Sequence, residues 1–245
     1  MRRILFQWRG FKVWSYPAML YVGLVAGVAA GNLAAHATGV DAFRVFVATL
    51  ILIPPAVFGA RLLYVATHWN QYRNRPARIW NRQEGGMAMY GGLPIMLLLS
   101  MPVLAVLGLG FGGFWDAASL TIMAAMIFTR MGCLLNGCCA GRPSSSRLAV
   151  TLPNSRGVRQ RRIPVQCLEA AWALLVLGVA VALLGRLPFD GALFLVVAAL
   201  YGAGRFALES LRELEPETGR FAFGRTVSVL TVVSAVGILI IQWPR

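Results

Sequence analysis

The chain has 245 residues, of which 58% are hydrophobic and only 13% charged. That excludes an ordinary soluble domain, and no polar stretch is long enough to bury a core of its own. The 23 basic residues exceed the 9 acidic ones, for a net charge of +14, but a nucleic-acid binder would not share this hydrophobicity; the charge points instead to an anionic lipid surface or head group.

A membrane span needs about 20 apolar residues. In chain order the predicted spans are Val13–Ala35, Phe43–Ala66, Met87–Leu109, Trp115–Leu135, Pro164–Leu184, Gly191–Leu208 and Thr226–Trp243. The N-terminal "MRR" and the apolar run behind it resemble a secretory leader. The run is too long for one and more spans follow, so it reads as a retained first helix. The expected fold is an all-α integral membrane protein, one domain over residues 1–245 with seven transmembrane helices. A polar head segment, residues 136–163, separates helices four and five, and "RLAVTLPNSRGVRQRRIP" within it can carry a short hairpin.

The connections after spans two, four and six are long and hold most of the charge. With seven spans they share one face with the N-terminus. That face collects Arg2, Arg3, Arg9 and Lys12, then Arg73, Arg75, Arg78 and Arg82, then Arg142, Arg147, Arg156, Arg159, Arg161 and Arg162. All but Lys12 are arginine, the better fork for phosphate oxygens and more weakly hydrated than lysine. A GC-rich genome would favour arginine too. Counting positive charge alone makes this face cytoplasmic.

Ionisable groups within spans are expensive and point to function. Arg61, Asp116, Arg130, Glu169 and the pair Arg205/Glu209 stand out. Arg61 can also be read as a snorkelling helix-end residue. Arg205 and Glu209 are four apart, so they can pair on one helix face that Arg212 extends. "EGGMAMYGGLP", residues 84–94, opens the third span with four glycines around Tyr90. Glycine there permits close approach of a lipid head group or close packing of helices.

The segment "TRMGCLLNGCCAGRP", residues 129–143, carries Cys133, Cys138 and Cys139, and Cys167 completes the set of four. Their number says little about redox compartment. Buried packing is one reading, and it is the expected one for Cys139 and Cys167. Nucleophilic catalysis, with an arginine favouring the thiolate, is a second and is open for Cys138. Zinc is a third, but C-x4-C-C lacks the usual pairing and has no histidine beside it, so no metal or other cofactor is expected.

Taken together, these motifs resemble the prolipoprotein diacylglyceryl transferase family. "GGMAMYGGL" is similar to its Gly-Gly-Met, aromatic, His-Gly-Gly-Leu segment. "RMGCLLNGCCAGR" is similar to its Arg-x-Gly-Asn, apolar pair, Asn-Gly-Glu, Gly-Arg signature. "VWSYPAM" resembles the beginning of its first span and "GARLLYV" its second; Asp116 stands fourteen residues before Arg130. "IPVQCLEA" resembles its His-Pro-x-Gln-Leu-Tyr-Glu segment, and "RFALESLRELEP" its Arg-x-x-x-Glu-x-x-Arg helix. The likeness runs from about Tyr16 to the last span.

The resemblance implies an enzyme that moves a diacylglyceryl group from phosphatidylglycerol, or a related anionic phospholipid, to the lipobox cysteine of a prolipoprotein or another acceptor. Two rival readings are a non-catalytic phospholipid-binding or transport paralogue and a thiol-dependent glyceryl or acyl transferase with a different acceptor. It implies a catalytic set of Arg130, Arg205, Tyr90, Glu209 and Cys138. The implied substrate-binding set is Tyr16, Arg61, Gly91, Gly92, Gly132, Cys133, Asn136, Gly141, Arg142 and Glu169. The implied location is a bacterial inner membrane, amid membrane lipids, with the signature face and N-terminus outside and the C-terminus cytoplasmic. That opposes the charge count; a phosphate-binding arginine cluster selected for function can offset the orientation bias.

The chain departs from the pattern at four positions. Tyr90 and Ile163 stand where the family has histidine, Cys133 where it has asparagine, and Cys138 where it has glutamate. Tyrosine, with a pKa of about 10, is a poor base unless arginines lower it. Among the remaining histidines His36 falls on the opposite face, and His68 reads as a surface residue.

Overall fold

The computed structural model describes residues 4–9, 11–73, 77, 79, 89–153, 157–213 and 220–244. Arg2, Arg3, Arg75, Arg78, Arg82 and Arg156 lie outside the described residues, as does the side chain of Tyr90.

An antiparallel hairpin, β1 (Ile4–Trp8) and β2 (Phe11–Trp14), precedes the first helix. Helix α1 (Ser15–Ala37) leads to α2 (Ala42–Thr67), whose first turn is capped by the Asp41 carboxylate accepting from the Arg44 amide at 3.0 Å. A single turn, α3 (Trp69–Tyr72), follows, then α4 (Met89–Leu107) and α5 (Phe111–Asn136). Gly137 closes α5 in the left-handed conformation, φ 78°, as helix C-termini commonly require. Strands β3 (Val150–Pro153) and β4 (Arg159–Arg162) form the second hairpin, in the register Val150 opposite Arg162. Helices α6 (Val165–Leu183), α7 (Ala192–Glu209) and α8 (Arg220–Gln242) complete the chain.

Among the described residues, six helices are long and apolar enough to cross a membrane: α1, α2, α5, α6, α7 and, from Gly224, α8. The apolar part of α4, Gly91–Leu107, is shorter. The fold is therefore that of an all-helical, multi-pass membrane protein. The second hairpin falls where the sequence places it; the first, whose Phe6, Trp8 and Trp14 are exposed, has no turn signal that the sequence reading caught.

Small residues let the helix backbones meet, which is how helices associate where lipid removes the hydrophobic drive between them. Gly23, Gly27 and Gly31 line the face of α1 against α5. A Cβ on Gly27 would stand 2.6 Å from the Thr121 carbonyl. Helices α2 and α4 meet through Gly59 and Gly91 in the same way: a Cβ on either would fall within 2.5 Å of the other's carbonyl oxygen. The core proper, with Leu52, Leu104, Phe114, Trp115, Val176 and Ala180 almost wholly enclosed, lies among α1, α2, α4, α5, α6 and α7. The buried Trp115 Nε1–H donates to the Ser100 hydroxyl at 3.1 Å. Outward faces stay apolar, as at Leu33, Val106 and Ile241, which suits lipid contact.

A candidate active site at one end of the bundle

Successive long helices alternate in direction. One end of the bundle therefore collects the beginnings of α1, α4, α6 and α8, the ends of α2, α5 and α7, and both hairpins. The sequence-predicted catalytic and substrate-binding residues fall on or beside the elements at this end. Asp116, singled out with them, does not: it is near the start of α5, and its carboxylate accepts from the amides of Gly191 and Phe194, each at 2.8 Å, capping α7.

The centre of the site is Glu169, in the first turns of α6 and 5% exposed. Its carboxylate takes Arg130 of α5, with Nε 3.0 Å from Oε2, and Arg205 of α7, through Nη1 on Oε1. Arg212, just beyond α7, adds Nη1 at 3.5 Å from Oε1. Arg205 also pairs its Nη2 with Glu209 Oε2 at 2.7 Å, the i,i+4 pair expected from the sequence. Among the described residues, three guanidiniums thus face two carboxylates in a largely desolvated network. Buried charges of this kind persist only when paired and hydrogen-bonded. The side chain of Glu209 packs against Gly224 of α8, where a Cβ would come 2.9 Å from Oε1.

Cys133 is buried in the last turn of α5, and Cys138 and Cys139 are half-buried just after it; all three are free thiols. Their sulfurs lie within 4.8 Å of one another. Hydrogen bonds from Cys133, then from Cys138, hold the Cys139 thiol below its ordinary range against the cost of burial, with Arg212 and Arg130 adding to the effect. Asn136 bonds to the Cys138 side chain. Tyr16 packs on Gly132, within electrostatic reach of the three thiols and Arg130. Cys167, expected to pack inside, is exposed on α6.

The glycines of the predicted binding set sit at crossings. Gly91 and Gly92 bear on Gly59 and Ala56 of α2, and their Cβ positions are filled by backbone carbonyls. Gly141 donates to the Ile163 carbonyl at 3.0 Å, and a Cβ there would come 2.8 Å from the Leu211 carbonyl. The Arg142 amide donates to Leu211 at 2.9 Å while its side chain is exposed. Arg61 is buried rather than snorkelling: Nε donates to the Ile79 carbonyl at 2.8 Å, and the guanidinium lies over the rings of Tyr64 and Tyr72. His68 is not a surface residue either. It is buried, stacked on Tyr64 at 4.2 Å, with Nδ1 2.8 Å from the Tyr64 carbonyl.

Two buried polar residues escaped the sequence reading. Arg162, 1% exposed, pairs with Glu213 at 2.9 Å and donates to the Gly141 carbonyl at 3.3 Å, tying β4 to the segment after α7. It was counted among surface arginines, and only its place in strand alternation, buried beside exposed Arg161, could have singled it out. Gln166, fully enclosed, donates Nε2 to the Cys138 carbonyl at 2.7 Å. Between α6 and α7 an apolar crevice of about 440 Å³ is lined by Leu168, Trp172, Leu175, Ala203 and Gly204. Gly204 is required there: its Cβ would stand 1.9 Å from Trp172 Nε1, which donates to the Leu200 carbonyl at 3.1 Å. Leu168 and Gly204 of this lining precede Glu169 and Arg205 in the sequence, and the lining itself is almost wholly apolar.

The family model described as "Prolipoprotein diacylglyceryl transferase" matches residues 3–241. Among similar proteins is the phosphatidylglycerol–prolipoprotein diacylglyceryl transferase of Clostridium kluyveri, 26% identical over 245 residues, covering 98% of this chain and 96% of that one. The protein of the same description from Clostridium botulinum strain 657 is 28% identical over 192 residues, 76% of this chain and 77% of that one. That from Clostridioides difficile strain 630 is 23% identical over 236 residues, 96% and 93% of the two chains.

Proposed function

Since the chain belongs to the prolipoprotein diacylglyceryl transferase family, we propose the following account of how its own residues work. The protein is an enzyme that transfers a diacylglyceryl group from phosphatidylglycerol, or a related anionic phospholipid, to a prolipoprotein cysteine or another acceptor. The observation that carries this account is the network around Glu169, where the guanidiniums of Arg130, Arg205 and Arg212 gather from two helices and the segment after α7. Guanidinium forks of this kind match the anionic oxygens of a phosphodiester.

The acceptor sulfur attacks the glyceryl carbon that bears the phosphate. The carbon–oxygen bond breaks, its electron pair stays on the phosphate oxygen, and glycerol phosphate leaves. Arg130 and Arg205 stabilise the charge growing on that oxygen, an effect worth several kcal/mol where water is excluded. Glu169 and Glu209 act as positioning residues for the two guanidiniums. The apolar crevice between α6 and α7 offers a place for an acyl chain.

Direct transfer to the acceptor is favoured over a covalent intermediate on Cys138. A thiol of pKa about 8.5 is already a few per cent thiolate at neutral pH, and neighbouring arginines raise that fraction. Tyr90, Tyr16, Arg61, Asn136 and Arg142 are assigned to the surroundings of substrate and acceptor. Phosphatidylglycerol labelled in its acyl chains, incubated with the purified protein, should pass label to a lipobox peptide. Label found only in lipid would overturn the account.

The topology that goes with it counts Gly91–Leu107 as a seventh crossing. It sets the N-terminus and the loop 142–162 outside a bacterial inner membrane, with the C-terminus in the cytoplasm and no nucleic-acid partner. A Ser145→Cys variant, in a background without the native cysteines, should react with an impermeant maleimide in intact cells. Protection until lysis would reverse the orientation.

A further inference from the structure

The reaction proposed above uses two arginines and leaves three thiols without a task. We propose that Cys133, Cys138 and Cys139 together form a binding site for one soft, thiophilic d10 cation, Zn(II) or Cu(I). The proposal stands apart from the transfer reaction.

The geometry is close to what such an ion takes. Their sulfurs already lie within 4.8 Å of one another. Metal–thiolate bonds of about 2.3 Å put three sulfurs of a trigonal site roughly 4 Å apart, so closing on the ion requires shifts of less than about 1 Å. The remaining position of a tetrahedral ion is left to water or a fourth ligand. Three soft donors with no hard oxygen in the set select thiophilic ions against magnesium and calcium.

The chain is shaped to bring these thiols together. C-x4-C-C spacing alone would leave Cys133 on the helix and the other two trailing away from it. Instead Gly137, at φ 78°, turns the chain, and its amide and that of Cys138 both donate to the Cys133 carbonyl, at 3.0 and 3.1 Å. Cys139 then adopts φ 61°, a left-handed conformation that costs a non-glycine residue energy and that clusters at binding sites. Gln166 reaches over from α6 to hold the Cys138 carbonyl at 2.7 Å. Simple packing of small side chains would need neither the strained residue nor three sulfurs in one place.

On binding, each thiol gives up its proton to solvent and a metal–sulfur bond replaces the S–H bond; no electron is transferred. Three thiolates leave the complex with net negative charge around either ion. Arg130 and Arg212, both within electrostatic reach of Cys139, offset it.

The full-length protein, purified in detergent with reductant and chelator and then freed of both without air, is titrated with Zn(II) and, separately, with Cu(I). The expected result is one equivalent bound by at least one of the two ions, with X-ray absorption showing three sulfur neighbours. Cys139→Ser should weaken that binding at least about tenfold, while Cys167→Ser should leave it unchanged. Should Cys139→Ser fail to accumulate, sulfur ligation in the wild-type protein decides alone. The site is overturned by the absence of stoichiometric binding of either ion, by binding indifferent to Cys139→Ser, or by loss of two thiols to a disulfide in the metal-free protein.

Discussion

Arg205→Lys is expected to cut diacylglyceryl transfer by about 100-fold or more while leaving the protein in the membrane at near-normal amounts. Arg205 spreads one fork over two carboxylates, Nη1 on Glu169 and Nη2 on Glu209. A lysine ammonium keeps the charge and some pairing, so the fold survives. It cannot span both partners and still present planar donors to a leaving phosphate. The loss should fall on kcat rather than KM, because the interaction strengthens as charge develops on oxygen. Arg130→Lys should behave alike, as it meets the other oxygen of the same carboxylate. Initial rates in membranes, normalised to protein content, test this. Rates within about threefold of wild type would remove both arginines from the transition state.

Glu169→Ala is expected to be worse, because it takes away structure as well as activity. Arg130 and Arg205 both rest on that carboxylate, and Arg212 approaches it. Breaking a buried pair by deleting one partner costs about 3–5 kcal/mol, against a typical total stability of about 5–15 kcal/mol. Heating detergent-solubilised protein and following the monodisperse fraction by size exclusion should show a clear loss for Glu169→Ala. Glu169→Asp, which keeps the charge on a shorter stem, should recover part of it. An alanine variant as heat-resistant as wild type would show that the junction does not hold α5, α6 and α7 together.

The helical fold was legible because each span writes its own length in apolar residues, and the hairpin at Val150–Arg162 because the polar excursion is bounded by Pro143 and Pro164. The N-terminal hairpin was hidden: the first predicted span begins at Val13, inside Phe11–Trp14, and strands of five and four residues carry little periodic signal of their own. In the site, ionisable residues at span ends were visible because lipid makes them costly. The i,i+4 pair Arg205/Glu209 was visible; that Glu169 joins Arg130 to Arg205 was not, since these three come from three helices and no spacing rule links them. Residues Gly91 and Gly92 illustrate a further limit. A glycine that admits a ligand and one that admits a neighbouring carbonyl are the same letter, and the Gly59 and Ala56 carbonyls settle the matter only in three dimensions. Arg162 and His68 were misread because burial of a polar side chain depends on its packing: Arg162 finds Glu213 far along the chain, and His68 stacks on the Tyr64 ring one turn back.

The Asp116 contact at the far end of the bundle acts as the zero of a ruler. Helices α5 and α7 run in the same direction, and Asp116 fixes one against the other at Gly191. Arg130 lies fourteen residues beyond Asp116, and Arg205 lies fourteen beyond Gly191. At 1.5 Å per residue, both helices measure off about 21 Å from that mark, and their guanidiniums arrive level on the two oxygens of one carboxylate. A residue lost from either helix between mark and guanidinium would turn its arginine by about 100° and lower it by about 1.5 Å. Length in these two helices is therefore part of the chemistry: it can change along a lineage only in both at once and by whole turns.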